Sequence, residues 1–222
     1  GKSRLMLFFG AAERMPAGAR LCATAPAGHH LIFRDGLYHL ADGQGRHKPL
    51  TIDFRRPPYS NRRGKEYLPR AFRGIEDIGD GTAGWGRDGW LLHQRGFRVS
   101  FYERNEYLIF LLNQALQLMD GPVPELIAGD SGENLRAHEA IYLDPMFPPR
   151  PKSAQVGKEM QLLQLLLPAE QGAEELFQRA RARARRRLVV KRPSWADFLA
   201  GARPSYSIEA PNTRYDVYQI NP

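Results

Sequence analysis

Ile75-Glu76-Asp77-Ile78-Gly79-Asp80-Gly81-Thr82-Ala83-Gly84-Trp85-Gly86-Arg87-Asp88 decides how the rest of the chain is read. Its start is short and β-prone, its middle is glycine-rich, and it runs into Arg87 to Arg95, where Trp90, Leu91 and Leu92 give a helical pattern. Glycine in such a turn lets the backbone reverse sharply and lets a ligand approach the main chain without a Cβ in the way. Strand, turn and helix then recur. Phe97 to Tyr102 reads as a strand and Glu106 to Met119 as a helix, with Leu108, Leu111, Leu112, Ala115 and Leu118 at helical spacing. Residues 125–128 and 140–143 are further strands, 158–167 and 173–185 helices, and 187–191 another strand. The tail, 206–209 and 214–218, reads as an antiparallel hairpin. Repeated βα units predict an α/β fold, a mostly parallel sheet covered by helices on both faces.

Upstream the pattern differs. Leu5 to Phe9 and His30 to Phe33 are β-prone runs, and Asp35-Gly36 and Asp42-Gly43 supply the left-handed conformations of hairpin turns. Residues 1–55 therefore read as a small β-rich N-terminal appendage, 56–74 as a basic connector broken by Pro57-Pro58, and 75–222 as the main domain. The 222 residues are 42% hydrophobic and 25% charged, which excludes a wholly disordered chain. No apolar run approaches the roughly 18 residues of a membrane span, and the opening Gly1-Lys2-Ser3-Arg4-Leu5 is too short in apolar residues for a signal peptide. With Cys22 the single cysteine, an internal disulfide is impossible and a cytoplasmic location is expected. Lys plus Arg is 32 against 24 Asp plus Glu, a net charge of +8 that suits a polyanionic partner.

Glu103 falls 19 positions beyond Gly84, at the end of the second main-domain strand, where a carboxylate can accept both ribose hydroxyls of an adenosine-type ligand. The turn itself fits two cofactors. Gly79-x-Gly81-x-x-Gly84 satisfies the dinucleotide fingerprint of an NAD-dependent oxidoreductase, while Asp80-Gly81-x-x-Gly84-x-Gly86 suits S-adenosylmethionine, with Asp80 near the methionine moiety.

Tyr142-Leu143-Asp144-Pro145-Met146-Phe147-Pro148 separates them. Beyond the carboxyl end of a parallel strand it falls where open α/β sheets place their ligand crevice. Asp-Pro-x-aromatic suits methylation of an amine on a nucleobase. Such an amine is a poor nucleophile because its lone pair is delocalised into the ring. Asp144 and the Pro145 carbonyl would accept its two hydrogens, and Phe147 would hold the base by stacking. Adenine N6, cytosine N4 and guanine N2 all fit that chemistry. An NAD-dependent oxidoreductase and a non-catalytic rRNA-binding factor are the readings from other classes.

The sequence resembles the bacterial small-subunit ribosomal RNA methyltransferases of the RsmJ family, which modify a guanine N2 near the 3′ end of 16S rRNA. The resemblance rests on Asp80 to Asp88, Glu103-Arg104-Asn105, Tyr142 to Pro148, Lys152-Ser153-Ala154, Lys158-Glu159-Met160, Val189 to Pro193 and Arg214 to Tyr218, in that order. It covers about residues 75–220 and implies a Rossmann-like class I methyltransferase sheet. It also implies S-adenosylmethionine contacts at Arg87, Asp88, Glu103, Arg104, Asp130, Ser131 and Asp144. Two departures stand out. Trp85 occupies a position where the family has a smaller aliphatic residue, which implies a reshaped cofactor pocket. Of the family's His-Arg-Arg connector only Arg62-Arg63 remain.

Asp130, after the third strand, can accept an adenine exocyclic amine. Lys152, Lys158, Lys191 and Arg192 flank the expected crevice and are candidate RNA contacts, as are Arg62 and Arg63. Arg55, Arg56 and Tyr59 beside them could grip phosphate and stack on a base. The run from Arg179 to Arg187 is read as cations complementing a helix C-terminus. None of the six histidines makes a zinc-type pair with Cys22, no metal is expected, and His138 is expected at the surface.

Overall fold

The computed structural model describes residues 5–60, 67–145 and 172–220. The first four strands, β1 (Met6–Phe8), β2 (Ala19–Leu21), β3 (His30–Arg34) and β4 (Leu37–Ala41), form a sheet in the order β2-β1-β3-β4. Arg34 pairs with Leu37, so Asp35 and Gly36 alone make the turn, with φ of 52° and 80°. Both values are positive, as a tight hairpin of this hand requires. Asp42-Gly43 is different. Gly43 has no positive φ; a Cβ there would lie 1.9 Å from the Pro26 carbonyl oxygen, so close chain approach rather than turn handedness demands glycine. The edge strand β2, which pairs parallel to β1, has too little alternation to be visible in sequence.

The second sheet has seven strands: β5 (Asp77–Asp80), β6 (Arg98–Glu103), β7 (Glu125–Ala128), β8 (His138–Leu143), β9 (Ala184–Pro193), β10 (Tyr206–Glu209) and β11 (Thr213–Gln219). Their order is β10-β11-β9-β8-β5-β6-β7. β5 to β9 are parallel neighbours, and β11 runs antiparallel between β9 and β10. The expected mostly parallel sheet with a terminal hairpin is what forms. Strand order reverses at β5, flanked by β6 and β8, which opens a crevice at the carboxyl edge there.

Helices cover both faces. α1 (Tyr67–Arg70), α2 (Arg87–Gln94) and α3 (Glu106–Gln117) lie on one; α4 (Ser131–Asn134) and α5 (Ala173–Arg183) on the other. Period-two alternation assigns the strand residues. Ala140, Tyr142 and Val189 join the first core, while Ile141, Leu143, Leu188 and Val190 join the second with Phe177 and Ala180 of α5. The N-terminal sheet shares the first core through Phe8, Leu31 and Leu40. α3 binds it further: the Tyr107 hydroxyl accepts the Leu7 N–H and donates to the His29 carbonyl, and Gln114 bonds both backbone groups of Tyr38. Among the described residues, no helix is long and apolar enough to cross a membrane.

The arginine run does not crowd one helix end. α5 stops at Arg183, and Arg185, Arg186 and Arg187 lie in β9, where their guanidiniums donate to the carbonyls of Ala137, Gly74, Ala71 and Arg73. His138 is buried, not superficial. It sits over Gly79, where a Cβ would come 2.5 Å from the ring. Tyr102 Oη lies 2.7 Å from its Nε2 and Asp77 Oδ2 lies 3.1 Å from its Nδ1. The Arg136 N–H donates to Tyr102 Oη, so the phenol's own proton is free to reach Nε2, leaving Nδ1–H for Asp77.

Candidate active site

The turn after β5 is tied to both neighbouring strands. Gly81 N–H donates to the Tyr142 carbonyl of β8 at 2.9 Å, and Ala83 N–H to the Tyr102 carbonyl of β6 at 3.1 Å. Gly86, at φ 73°, opens α2; a Cβ there would press on Leu112 and Phe54, so this position requires glycine on both counts. The chain thereby delivers Asp88 in the first turn of α2 to the carboxyl ends of β5 and β8.

Four carboxylates gather there. Asp80 ends β5, and its Oδ1 accepts the Thr82 N–H. Burial pushes the Asp80 carboxyl well above the usual range, with Asp88, Asp144 and Glu103 adding repulsion. Asp144 follows β8 and Lys191 lies opposite it, because Leu143 pairs with Val190 in the parallel register. Lys191 Nζ donates to Asp144 Oδ2 at 3.0 Å and to Asp88 Oδ2 at 2.9 Å. Tyr142 Oη also donates to Asp88 Oδ2, at 2.6 Å, and the Asp144 N–H donates to Thr82 Oγ1. Burial raises the Asp144 carboxyl; the Lys191 ammonium opposes that rise and Asp88 adds to it. Burial alone would lower Lys191, but Asp144 and Asp88 hold it firmly protonated. Burial keeps Tyr142 a phenol, hence a donor.

Glu103 is buried at the end of β6. Its Oε2 accepts the Gly84 N–H at 2.8 Å, and its Oε1 accepts those of Arg104 and Asn105. Of about four lone-pair sites on a carboxylate, three are taken. One acceptor site is left where two ribose hydroxyls were expected. Burial raises Glu103 while these backbone donors draw it down. Asp130 is exposed and caps α4, its Oδ1 accepting the Gly132 N–H, with Ser131 beginning that helix. Arg87 is half-buried, its guanidinium carbon 6.0 Å from the Tyr59 ring centroid, and Arg104 is exposed.

Several expected contacts are relocated. Lys191 is turned into the carboxylate cluster rather than out toward phosphate. Arg192 is buried, and its Nε and Nη2 both donate to the Asp197 carbonyl, so it does not offer a phosphate contact. Tyr59 is buried against Phe54 and donates to the Trp85 carbonyl, which rules out base stacking. Trp85 itself packs in the first core rather than lining the crevice. Arg55 and Arg56 are exposed and paired with Asp53. Pro145 is buried directly after Asp144. Phe147, Arg62, Arg63, Lys152, Lys158 and the helix expected over 158–167 lie outside the described residues. Sequence reasoning missed Tyr142 and the true partners of Lys191. Alternation carried the signal, since 142 and 144 share one strand face, as do 189 and 191.

A sheet of this order, with acidic side chains gathered where the order reverses, is the arrangement expected of an S-adenosylmethionine-dependent methyltransferase, and comparison with known proteins shows that class. The family model for SAM-dependent methyltransferases matches residues 20–220. Curated relatives named ribosomal RNA small subunit methyltransferase J are similar over most of the chain. The one from Alteromonas mediterranea is 38% identical over 212 residues, covering 86% of this chain and 82% of its own. That from Pseudomonas aeruginosa is 35% identical over 210 residues, covering 84% and 80%. A crystal structure of a SAM-dependent methyltransferase from Neisseria gonorrhoeae has the same fold, with a TM-score of 0.75, 24% identity, and coverage of 96% of this chain and 95% of that one. The chain belongs to the ribosomal RNA small subunit methyltransferase J family. Membership in this family makes S-adenosylmethionine, and not a dinucleotide, the cofactor.

Proposed function

We propose that this protein methylates the exocyclic N2 of a guanine in 16S rRNA of the small ribosomal subunit, in the cytoplasm. The observation that carries the reading is the Asp144 carboxylate, held by Lys191 at the mouth of the crevice and followed directly by Pro145. The relatives' name supplies the rRNA; the Asp-Pro pair supplies the amine.

The residues present suit the cofactor. Asp88, Glu103 and Asp144 stand around the turn, with Lys191 bridging Asp88 and Asp144, so the crevice offers carboxylate acceptors to a ligand that bears hydroxyl, amine or cationic groups. Glu103 would take a ribose hydroxyl and Asp130, beside Ser131, the adenine amine, with Arg87, Arg104 and the Gly81, Gly84 and Gly86 backbone enclosing the rest. Bound S-adenosylmethionine supplies an electrophilic methyl group on a sulfonium.

The chain's own contribution is placement and charge. Lys191 occupies Asp144 Oδ2, which turns Oδ1 to the incoming amine. Asp144 Oδ1 and the Pro145 carbonyl accept the two amine hydrogens, favouring a tetrahedral nitrogen whose lone pair points at the donor. Phe147 would stack on the base. Arg62, Arg63, Lys152 and Lys158 remain the proposed phosphate contacts, while Lys191 acts instead as a positioning residue.

Nucleoside analysis of 16S rRNA from cells lacking the protein tests this directly. One N2-methylguanine should be absent and should return on complementation with this chain. Loss of N6-methyladenine or N4-methylcytosine instead would overturn the choice of base.

A further inference from the structure

Resting on the rRNA reading, we propose that Trp195 and Phe198, on the loop leaving β9, are the aromatic surface on which unpaired rRNA bases beside the target stack. This loop starts at the carboxyl edge of the sheet, where Asp144 and Lys191 also stand, because Pro193 ends β9 and pairs with Thr213 at the start of β11.

Two buried cations hold the loop in one shape. Arg192 donates twice to the Asp197 carbonyl, at 3.1 and 2.8 Å. Arg214 donates to the Ser194 carbonyl at 3.0 Å and to Asp216 Oδ1 at 2.9 Å. Ala196 and Leu199 are buried plugs, Ser194 N–H reaches the Asn212 carbonyl, and the Tyr218 hydroxyl secures the Ala202 carbonyl. Trp195 and Phe198, the loop's two large aromatic residues, nevertheless remain 43% and 39% exposed.

Placement and charge select the occupant. The Arg214 guanidinium carbon lies 4.9 Å from the Phe198 ring centroid, so the ring has a cation behind one part and solvent before the rest. A base stacking on the open part would extend that arrangement, as single-stranded RNA recognition does with aromatic and arginine planes. Exposed Arg203 lies on the same segment, and the chain carries +8 overall, which favours a polyanion over an apolar protein surface. The rigid loop lowers the ordering cost of binding. Arg192, expected to touch phosphate, serves RNA indirectly by shaping this loop.

Fluorescence provides a direct test, since Trp85 and Trp90 are buried and Trp195 alone of the three tryptophans is exposed. Titrating the 222-residue chain with a 16S rRNA transcript should quench its emission. Trp195→Phe should abolish that quenching while keeping RNA affinity within about threefold. Trp195→Ala with Phe198→Ala should weaken RNA affinity at least about tenfold. The double variant should bind S-adenosylhomocysteine in calorimetry as the wild type does, which controls for folding. Wild-type RNA affinity in the double variant, or unquenched emission in a wild type that still methylates rRNA, would overturn the stacking surface and leave the rRNA reading intact. Activity lost only on ribosomal particles, with transcript affinity unchanged, would assign the rings to a ribosomal protein and overturn it likewise. A wild type that neither binds nor methylates rRNA would instead sink the underlying reading.

Discussion

The two ends of the seven-stranded sheet are built from the same kinds of residue and do opposite things. At the amino edge the half-buried acids Asp77 and Glu139 have cations or donors. Asp77 meets His138, Arg98 and Arg185, while Glu139 meets Arg186 and the backbone N–H groups of Glu76 and Asp77. Nearby arginines also close free carbonyls. At the carboxyl edge Asp80, Asp88, Asp144 and Glu103 converge, and Lys191 is the cation that bridges two of them. Several cations close the acids there; here two acids share one cation.

Breaking the carboxyl edge should give the largest effect. Asp144→Asn keeps size and removes the charged acceptor; kcat should fall by about 10² to 10³-fold, with cofactor affinity largely retained. Single-turnover methyl transfer and calorimetry together check this, and near-normal transfer would contradict the assignment.

Lys191→Met sharpens the comparison, because it removes the shared cation without touching Asp144. Turnover should fall by about 10- to 100-fold through misplacement of the carboxylate. Asp144 must be ionised to work, and burial already raises its pKa, so activity declines as pH falls through that raised value. The ammonium opposes the rise. Removing it therefore moves the acid limb of the pH–kcat profile to higher pH, and Lys191→Arg should move it partly back. An unshifted limb would mean that Lys191 is only a structural brace.

The amino edge should answer in stability alone. His138→Ala leaves Asp77 and the Tyr102 hydroxyl without their buried partner, at a cost of about 2–3 kcal/mol. That corresponds to a fall in Tm of roughly 5–10 °C for a chain of this size. kcat per folded molecule should stay within about twofold of wild type, as thermal melts paired with activity assays would reveal. A selective loss of kcat would dissolve the distinction between the edges.

Much of this was legible beforehand for a local reason. β7 and β10 fall at the residues read from sequence, and α2, α3 and α5 agree within a few positions, because hydrophobic spacing is local information. The structure adds that Asn105 caps α3, its side chain accepting the Tyr107 and Leu108 N–H groups. The glycine turn, Glu103 and Asp144 were found because motif spacing around strand ends is also local. β2 was not, since three residues of an edge strand have no pattern of their own.

What a charged residue touches was not local at all. Lys191, Arg192, Tyr59 and His138 each read plausibly as surface groups; Lys191, Tyr59 and His138 are committed to partners far along the chain, and Arg192 to a carbonyl of the loop that follows it. From the sequence alone came the α/β class, the strand ends that bear the acids and the place of the Asp-Pro pair after β8. The tertiary structure decided which cations neutralise which acids. Strand register and crossover order bring residues 88, 144 and 191 together, and no spacing within one segment encodes that meeting.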